Sequence, residues 1–332
     1  MKLLEGSLRR LPGGRSSEGI LGDMLAVLLV TSVLPVVYHG LRAALLIGGS
    51  MLLSFAFYVL AQLLGSRRIW VADCSPLITG AVIALLLPAN VPFWVVAVAD
   101  AFAILVAKEP FGGTGRNPFN PGAAGVAFVT VLWPQYVFSY YNMSAGGTLP
   151  LVWREMETVP SPAAWLREGI QPEIMPFEML WGRFEGPMGA TAAVVIGAGT
   201  LFLIVRKSAD WRIPVAFLAA AALYAALFPR LLGGAVISVK YELLSGSLIF
   251  CACYLASDPC TSPRTKGGKW MYGILGGILL MLLRNYGAYE QGGCFAILLI
   301  NAFSPLIDRV VLYGRREVLR RGKALGSQKQ NS

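Results

Sequence analysis

Long apolar runs alternate with short polar connections from about residue 24 to about residue 308. A helix needs about 20 predominantly apolar residues to cross a bilayer, and fewer when it is broken or flanked by side chains that reach the interface. Ten runs meet that measure, at roughly 24–40, 43–64, 76–90, 93–108, 119–138, 188–205, 213–229, 242–257, 270–284 and 293–308. Several are short and interrupted by Pro or Gly, as in Leu87-Pro88-Ala89-Asn90-Val91-Pro92. Such breaks persist at membrane depth only where protein or a cavity satisfies the freed backbone groups. The pattern predicts an all-α polytopic membrane protein of about ten transmembrane helices with broken half-helices.

The runs also repeat. Leu77-Ile78-Thr79-Gly80-Ala81-Val82-Ile83 resembles Leu243-Leu244-Ser245-Gly246-Ser247-Leu248-Ile249, and each leads into a Pro-containing break, Pro88 to Pro92 and Asp258-Pro259. Two units with an odd number of spans must be inverted relative to each other, the pattern of transporter-like folds with a site near the midplane. Chance similarity between two apolar Gly/Ser segments is the plainer alternative. The expected organisation is a cytoplasmic N-terminal segment 1–23, a first five-helix repeat 24–138, an extracytoplasmic loop 139–187, a second repeat 188–308 and a basic cytoplasmic tail 309–332. With the N-terminus inside, 21 of the 28 Lys and Arg fall on the cytoplasmic side, which supports both termini there. Loop 139–187 holds six Glu against three Arg, in keeping with translocation. The tail reads as a positive-inside anchor or as a contact for acidic partners.

Composition agrees. The 332 residues are 56% hydrophobic and 14% charged, against roughly 25% charge in a soluble domain. The net charge of +10 does not argue for nucleic acid, because the basic residues sit between apolar runs rather than in one patch. The first run follows a polar, basic segment rather than a short n-region, so it does not read as a cleavable signal peptide. None of Cys74, Cys251, Cys253, Cys260 and Cys294 forms a CxxC pair and His39 is the single histidine. The cysteines read as packing residues, and no metal site is expected.

Four places carry candidate chemistry. Glu185-Gly186-Pro187-Met188-Gly189-Ala190-Thr191 opens an apolar helix after the largest polar loop. A threonine in the first turn there would have an exposed hydroxyl, and free N–H groups with a partial positive charge favour a phosphate. That suits a threonine esterified to a flavin phosphate; an N-cap of an ordinary transmembrane helix is the alternative. Asp100 lies inside the fourth apolar run, where a carboxylate is costly and marks either an ion or proton path or a bundle hydrogen bond. Gly112, Gly113 and Gly115 with Asn117 and Asn120 form a polar re-entry that lines a flavin or ion approach, or only permits tight helix entry. Asp258, Thr261 and Ser262 repeat that logic at the cytoplasmic end of the eighth run.

Four segments together resemble a known family. They are Thr79-Gly80 with its following run and Pro88; Ala107-Lys108-Glu109-Pro110-Phe111-Gly112-Gly113-Thr114-Gly115-Arg116-Asn117-Pro118-Phe119-Asn120-Pro121; Gly189-Ala190-Thr191; and Ser245-Gly246 through Asp258-Pro259-Cys260-Thr261-Ser262-Pro263, ending in Asn301-Ala302-Phe303-Ser304-Pro305-Leu306-Ile307-Asp308-Arg309. The chain resembles the RnfD family of the Rnf ion-translocating complex, relatives of NqrB in the sodium-pumping NADH:quinone oxidoreductase. The resemblance implies a ten-helix protein of the cell inner membrane carrying FMN by a phosphoester bond to threonine. In that family's acceptor motif, Glu185 takes the acidic place, Gly189 and Ala190 the small pair and Thr191 the acceptor place; Met188 stands where relatives have Ser or Thr. It implies a flavin transferase acting from outside, other membrane and peripheral Rnf subunits as partners, and membrane lipid as surroundings. A second, non-covalent flavin such as riboflavin is compatible with it. No GxGxxG nucleotide loop occurs, so ferredoxin and NAD are reached only through partner subunits, with coupled Na⁺ or H⁺ movement. The rival reading is a solute channel or transporter on the same inverted repeat, without redox chemistry.

Overall fold

The computed structural model describes residues 17–65, 73–142, 149–150 and 158–330, with 315–330 as helical backbone. Residues 1–16, with Lys2, Arg9, Arg10 and Arg15, lie outside the described residues, as do Arg67, Arg68 and Arg154. What is described is helical and contains no strand; one isolated bridge joins Tyr141 to Thr158.

The first stretch is α1 (Ser17–Thr31) and α2 (Val33–His39), interrupted at Ser32, then α3 (Leu41–Leu64) and α4 (Ser75–Leu86). α5 (Phe93–Ala101) passes into a π turn, Phe102–Val106, and a 3₁₀ turn, Glu109–Phe111. α6 (Pro121–Leu132) and α7 (Pro134–Val137) follow. Asn120 caps α6 by accepting the Ala123 amide, with Pro121 preset for the first turn. The long loop contributes α8 (Pro162–Arg167) and α9 (Pro176–Trp181). Then come α10 (Ala193–Val205), α11 (Arg212–Leu227), α12 (Ala235–Leu244), α13 (Leu248–Phe250), a second π turn at Cys251–Leu255, α14 (Lys266–Tyr286) and α15 (Gly293–Gln330).

Ser17–His39, Leu41–Leu64 and Gly293–Gly314 are long and apolar enough to cross a membrane, and a fourth stretch qualifies if α12 and Leu248–Leu255 are taken together across their 68° bend. α4, α6, α10 and α11 are apolar but shorter. Three sequence boundaries move. The first run begins at Ser17 rather than 24, because Asp23 is buried against Arg206 and Ser208 and so does not mark a surface. The run expected at 188 becomes helical only at Ala193. The run expected at 242 is a broken pair.

That break sits at Ser245-Gly246-Ser247, where Gly246 holds φ +66, a left-handed value that favours glycine. The counterpart Thr79-Gly80-Ala81 lies inside unbroken α4, so the similarity between Leu77–Ile83 and Leu243–Ile249 does not extend to the backbone. A different recurrence does. Each π turn runs into Ala-Xaa-acid-Pro, Ala107-Lys108-Glu109-Pro110 after the first and Ala256-Ser257-Asp258-Pro259 after the second. π turns are rare and collect at functional sites.

Packing between helices relies on small residues. A Cβ at Gly277 of α14 would stand 2.3 Å from the Phe217 carbonyl of α11, and one at Gly80 of α4 would stand 2.5 Å from the Ser50 carbonyl of α3. Close backbone approach of this kind drives helix association where lipid offers no hydrophobic gain.

Candidate functional site

The segment Glu185–Thr191 is a turn seated on the open end of α4. α4 stops at Leu86 before Pro88, leaving carbonyls with no intrahelical donor. The Gly189 amide donates to Leu85 O at 3.0 Å and the Met188 amide to Leu87 O at 3.0 Å. Met188 and Ala190 are thereby buried, and Met188 joins the main apolar core. Thr191 precedes the α10 N-cap, Ala192, by one residue, so it is not in the first helical turn. Its hydroxyl is also not exposed as expected. Thr191 is 4% accessible and its Oγ1 donates to Gly182 O at 3.3 Å. Three glycines hold this cradle. A Cβ at Gly182, where φ is +74, would stand 2.8 Å from Thr191 Oγ1; one at Gly186 would stand 2.9 Å from Thr191 Cγ2; one at Gly189 would enter the Leu85 side chain.

Beside the turn is a recess whose walls include His39, Tyr141, Phe184, Glu185 and Gly186. His39 Nδ1 and Tyr141 Oη are 2.7 Å apart, with the rings edge to face. Burial, with Glu185 nearby, pushes the Tyr141 phenol up to about 12, so Tyr141 stays a proton-bearing hydroxyl at neutral pH.

A larger cavity, about 810 Å³ of empty space counted out to its mouth, lies between the two halves of the chain. α1, α4, α6 and α10 supply apolar wall, and the segments that follow the two π turns supply the polar part. Asn117, Asn120 and Asp258 of the sequence-predicted residues line it, and Asn120 Nδ2 donates to Asp258 Oδ2 at 3.3 Å. Gly112, Gly113 and Thr261 stand outside it. Gly112 and Gly113 turn the chain at φ +105 and +77, and a Cβ at Gly113 would meet the Glu109 carboxylate. Thr261 is buried and its hydroxyl has no hydrogen-bond partner. Cys253 and Cys260 line the cavity, and Cys251, Cys253 and Cys294 are buried.

The residue that sequence reasoning missed is Lys108. It was counted only among the inside charges, yet it is 1% exposed and lines this cavity. Its Nζ donates to Ser75 Oγ, and Thr114 links Ser75 to Asp73 with contacts of 3.1 and 2.9 Å. Arg42 and Arg284, counted outside, are likewise buried. Arg42 serves the broken end of α4, its Nε donating to Ala89 O at 2.8 Å and its Nη2 to Val91 O at 3.0 Å. The signal that marks all three is position: each adjoins a break rather than a run of polar residues. Setting them aside leaves the Lys/Arg bias in place.

Asp100 of α5 is fully buried between α3 and α4. Ser54 Oγ donates to its Oδ1 at 2.9 Å. Ser50 Oγ lies 2.9 Å from that oxygen and 2.8 Å from Gly80 O, and its one proton serves one of them at a time. Asp100 Oδ2 has no hydrogen-bond partner. A buried carboxylate with one satisfied and one open oxygen is a place where a cation or proton would be accommodated.

Several helices long and apolar enough to cross a membrane, one more broken in the middle, and an apolar cavity with a polar floor define a multi-pass membrane protein. The chain belongs to the NQR2, RnfD, RnfE family, which it matches over residues 11–315. Its relatives are subunits designated D in ion-translocating complexes. The one in the Na(+)-translocating ferredoxin:NAD(+) oxidoreductase complex of Acetobacterium woodii is 32% identical over 317 residues, covering 93% of this chain and 94% of that one. The one in the proton-translocating ferredoxin:NAD(+) oxidoreductase complex of Clostridium ljungdahlii is 28% identical over 310 residues, covering 90% and 92%. The one in the ion-translocating oxidoreductase complex of Salmonella paratyphi A is 31% identical over 277 residues, covering 74% and 79%.

Proposed function

We propose that the chain is the flavin-bearing membrane component of an Rnf-type complex, passing electrons between partner subunits that handle ferredoxin and NAD, with coupled movement of Na⁺ or H⁺. The observation that carries this reading is the Glu185–Thr191 turn, which keeps the family's acidic, Gly-Ala and Thr positions and packs them on the open end of α4. The residues present fit an FMN phosphate on Thr191. One long hydrogen bond holds the hydroxyl, glycines at 182 and 186 leave no Cβ against the threonine side chain, and α10 begins two residues on with its free amides. Because the hydroxyl faces inward, the flavin transferase acts on a turn opened at Gly182. FMN bound there supplies one-electron carriage. The chain's own part is to hold the phosphate at the start of α10 and to wall the adjoining recess with His39, Tyr141 and Phe184.

The central cavity is the place for a second, non-covalent flavin such as riboflavin, with Asn117, Asn120, Asp258 and Lys108 as its polar contacts. Asp100 lies on the cation path. The repeated π turn with Ala-Xaa-acid-Pro supports ten spans in two inverted five-helix units, 24–138 and 188–308, in the inner membrane. The Lys/Arg bias supports cytoplasmic termini and an extracytoplasmic loop 139–187.

The test is intact mass of the full chain expressed with its flavin transferase, beside in-gel flavin fluorescence after denaturation. The wild type should carry one FMN and Thr191→Ala none, while still inserting in the membrane. Flavin retained in the variant, or mapped to another residue, overturns the assignment; no flavin in the wild type favours the non-redox transporter. Single-site labelling in loop 139–187 and tail 309–332 should come from opposite sides, and labelling from one side sinks the ten-span arrangement.

A further inference from the structure

Arg230, just after α11, is an arginine with both terminal nitrogens unused. Its amide donates to Ser238 Oγ at 3.2 Å and its Nε faces Glu242 Oε1 at 3.4 Å, but Nη1 and Nη2 are both buried without a hydrogen-bond partner. Glu242 offers them one oxygen at most: it is 1% exposed, its Oε1 has no hydrogen-bond partner, and its Oε2 takes Arg284 Nη1 at 3.2 Å. Arg167, which also acts on Arg230 electrostatically, is committed to the Gly287 and Ala288 carbonyls at 2.8 Å. The remaining acid, Glu290, bonds Ser161 at 3.0 Å, and burial raises its carboxyl above the usual range. Three guanidiniums therefore share two carboxyl groups, those of Glu242 and Glu290.

A buried guanidinium edge with no acceptor is costly, and its two terminal nitrogens form the fork that matches two oxygens of a phosphate. The chain on either side of it is apolar and outward-facing. Leu223, Leu227, Phe228, Leu232 and Val236 are exposed, and Tyr286, 78% exposed, lies against Tyr224 of α11. Aliphatic side chains beside a tyrosine mark the boundary between acyl chains and headgroups.

We propose that Arg230 anchors a site for the phosphate of an anionic phospholipid at the membrane face where α11 ends. Nε stays with Glu242, Nη1 and Nη2 take two phosphate oxygens, and the acyl chains lie along Leu223 and Leu227. The site is independent of flavin attachment and of the central cavity.

The purified full chain in detergent should melt at higher temperature with added phosphatidylglycerol than with equal phosphatidylcholine. In Arg230→Gln the half-saturating phosphatidylglycerol should rise about tenfold, the loss of one charge-assisted fork. Inorganic phosphate at millimolar concentration should not substitute. Equal responses to the two lipids, or an unchanged response in the variant, overturn the proposal; a phosphate effect that matches phosphatidylglycerol overturns the lipid assignment. Should Arg230→Gln not fold, native mass spectrometry of the wild type decides: one retained phosphatidylglycerol in preference to phosphatidylcholine is expected, and no preference overturns the site.

Discussion

The amide of Gly189 donates to the carbonyl of Leu85 at 3.0 Å, and a Cβ at position 189 would stand 2.1 Å from the Cδ2 of that same leucine. The Glu185–Thr191 turn and the open end of α4 are thus fitted at one contact. Gly189→Ala should lower the melting temperature by an overpacking cost of about 1–3 kcal/mol and reduce in-gel flavin fluorescence. Leu85→Ala opens the space, so the double variant should recover part of both losses. Strict additivity in that cycle would show that the two residues are not coupled.

Asp100→Asn keeps the shape that Ser54 and Ser50 contact and removes the charge. The assembled complex should retain its flavin and electron transfer but build less ion gradient. Ion and electron fluxes measured together in reconstituted vesicles check this, with Na⁺ present and then withheld. An unchanged ratio of ions to electrons removes Asp100 from the path.

Arg284 joins three elements, donating from α14 to the Glu242 carboxylate and carbonyl of α12 and to Ser245 O at the break. Arg284→Gln should destabilise by about 3–5 kcal/mol, because Glu242 is left buried without one of its cations. Arg284→Lys should not restore it, since an ammonium cannot span the carboxylate and both carbonyls. Thermal melts of the three proteins, followed by size-exclusion profile, are the measurement.

Asp210, between α10 and α11, gives a pH dependence. Burial alone would raise its carboxyl, but hydrogen bonds from Lys269 and the Arg212 amide outweigh it and hold it below the ordinary range. A depressed folded-state value means the contribution is present above the unfolded aspartate value, near 3.9, and is lost as pH falls through the folded one. The pair is partly exposed, so the effect is about 1 kcal/mol or less. Melting temperature against pH should fall more steeply below about pH 4 in wild type than in Asp210→Asn. Parallel curves would show that the Lys269 contact is not a source of stability.

Apolar length and Pro88 were enough to read helices, the end of α4 and the membrane class, because lipid imposes those features on the local sequence. The start of α10 was misread because Met188-Gly189-Ala190 is as apolar as a helix, although its amides bond across to α4 instead of along the chain. Lys108 was misread for a related reason: a lysine beside Glu109 looks like a loop charge until the chain from Ser75 closes over it. Arg42 with Ala89, and Arg284 with Glu242, are partners across dozens of residues that periodicity does not join. The burial of Asp100 was legible because valines and alanines flank the carboxylate on both sides, while its partners Ser50 and Ser54 lie on another helix that periodicity does not join to it.

Lys108 and Ser257 occupy matching places after the two π turns, and both line the central cavity. One presents an amine, the other a hydroxyl. A chamber made by two like segments would have no preferred way round; this substitution gives it a polarity. A planar guest with one electron-rich edge would find a head and a tail there, the amine of Lys108 meeting it from the α5 side.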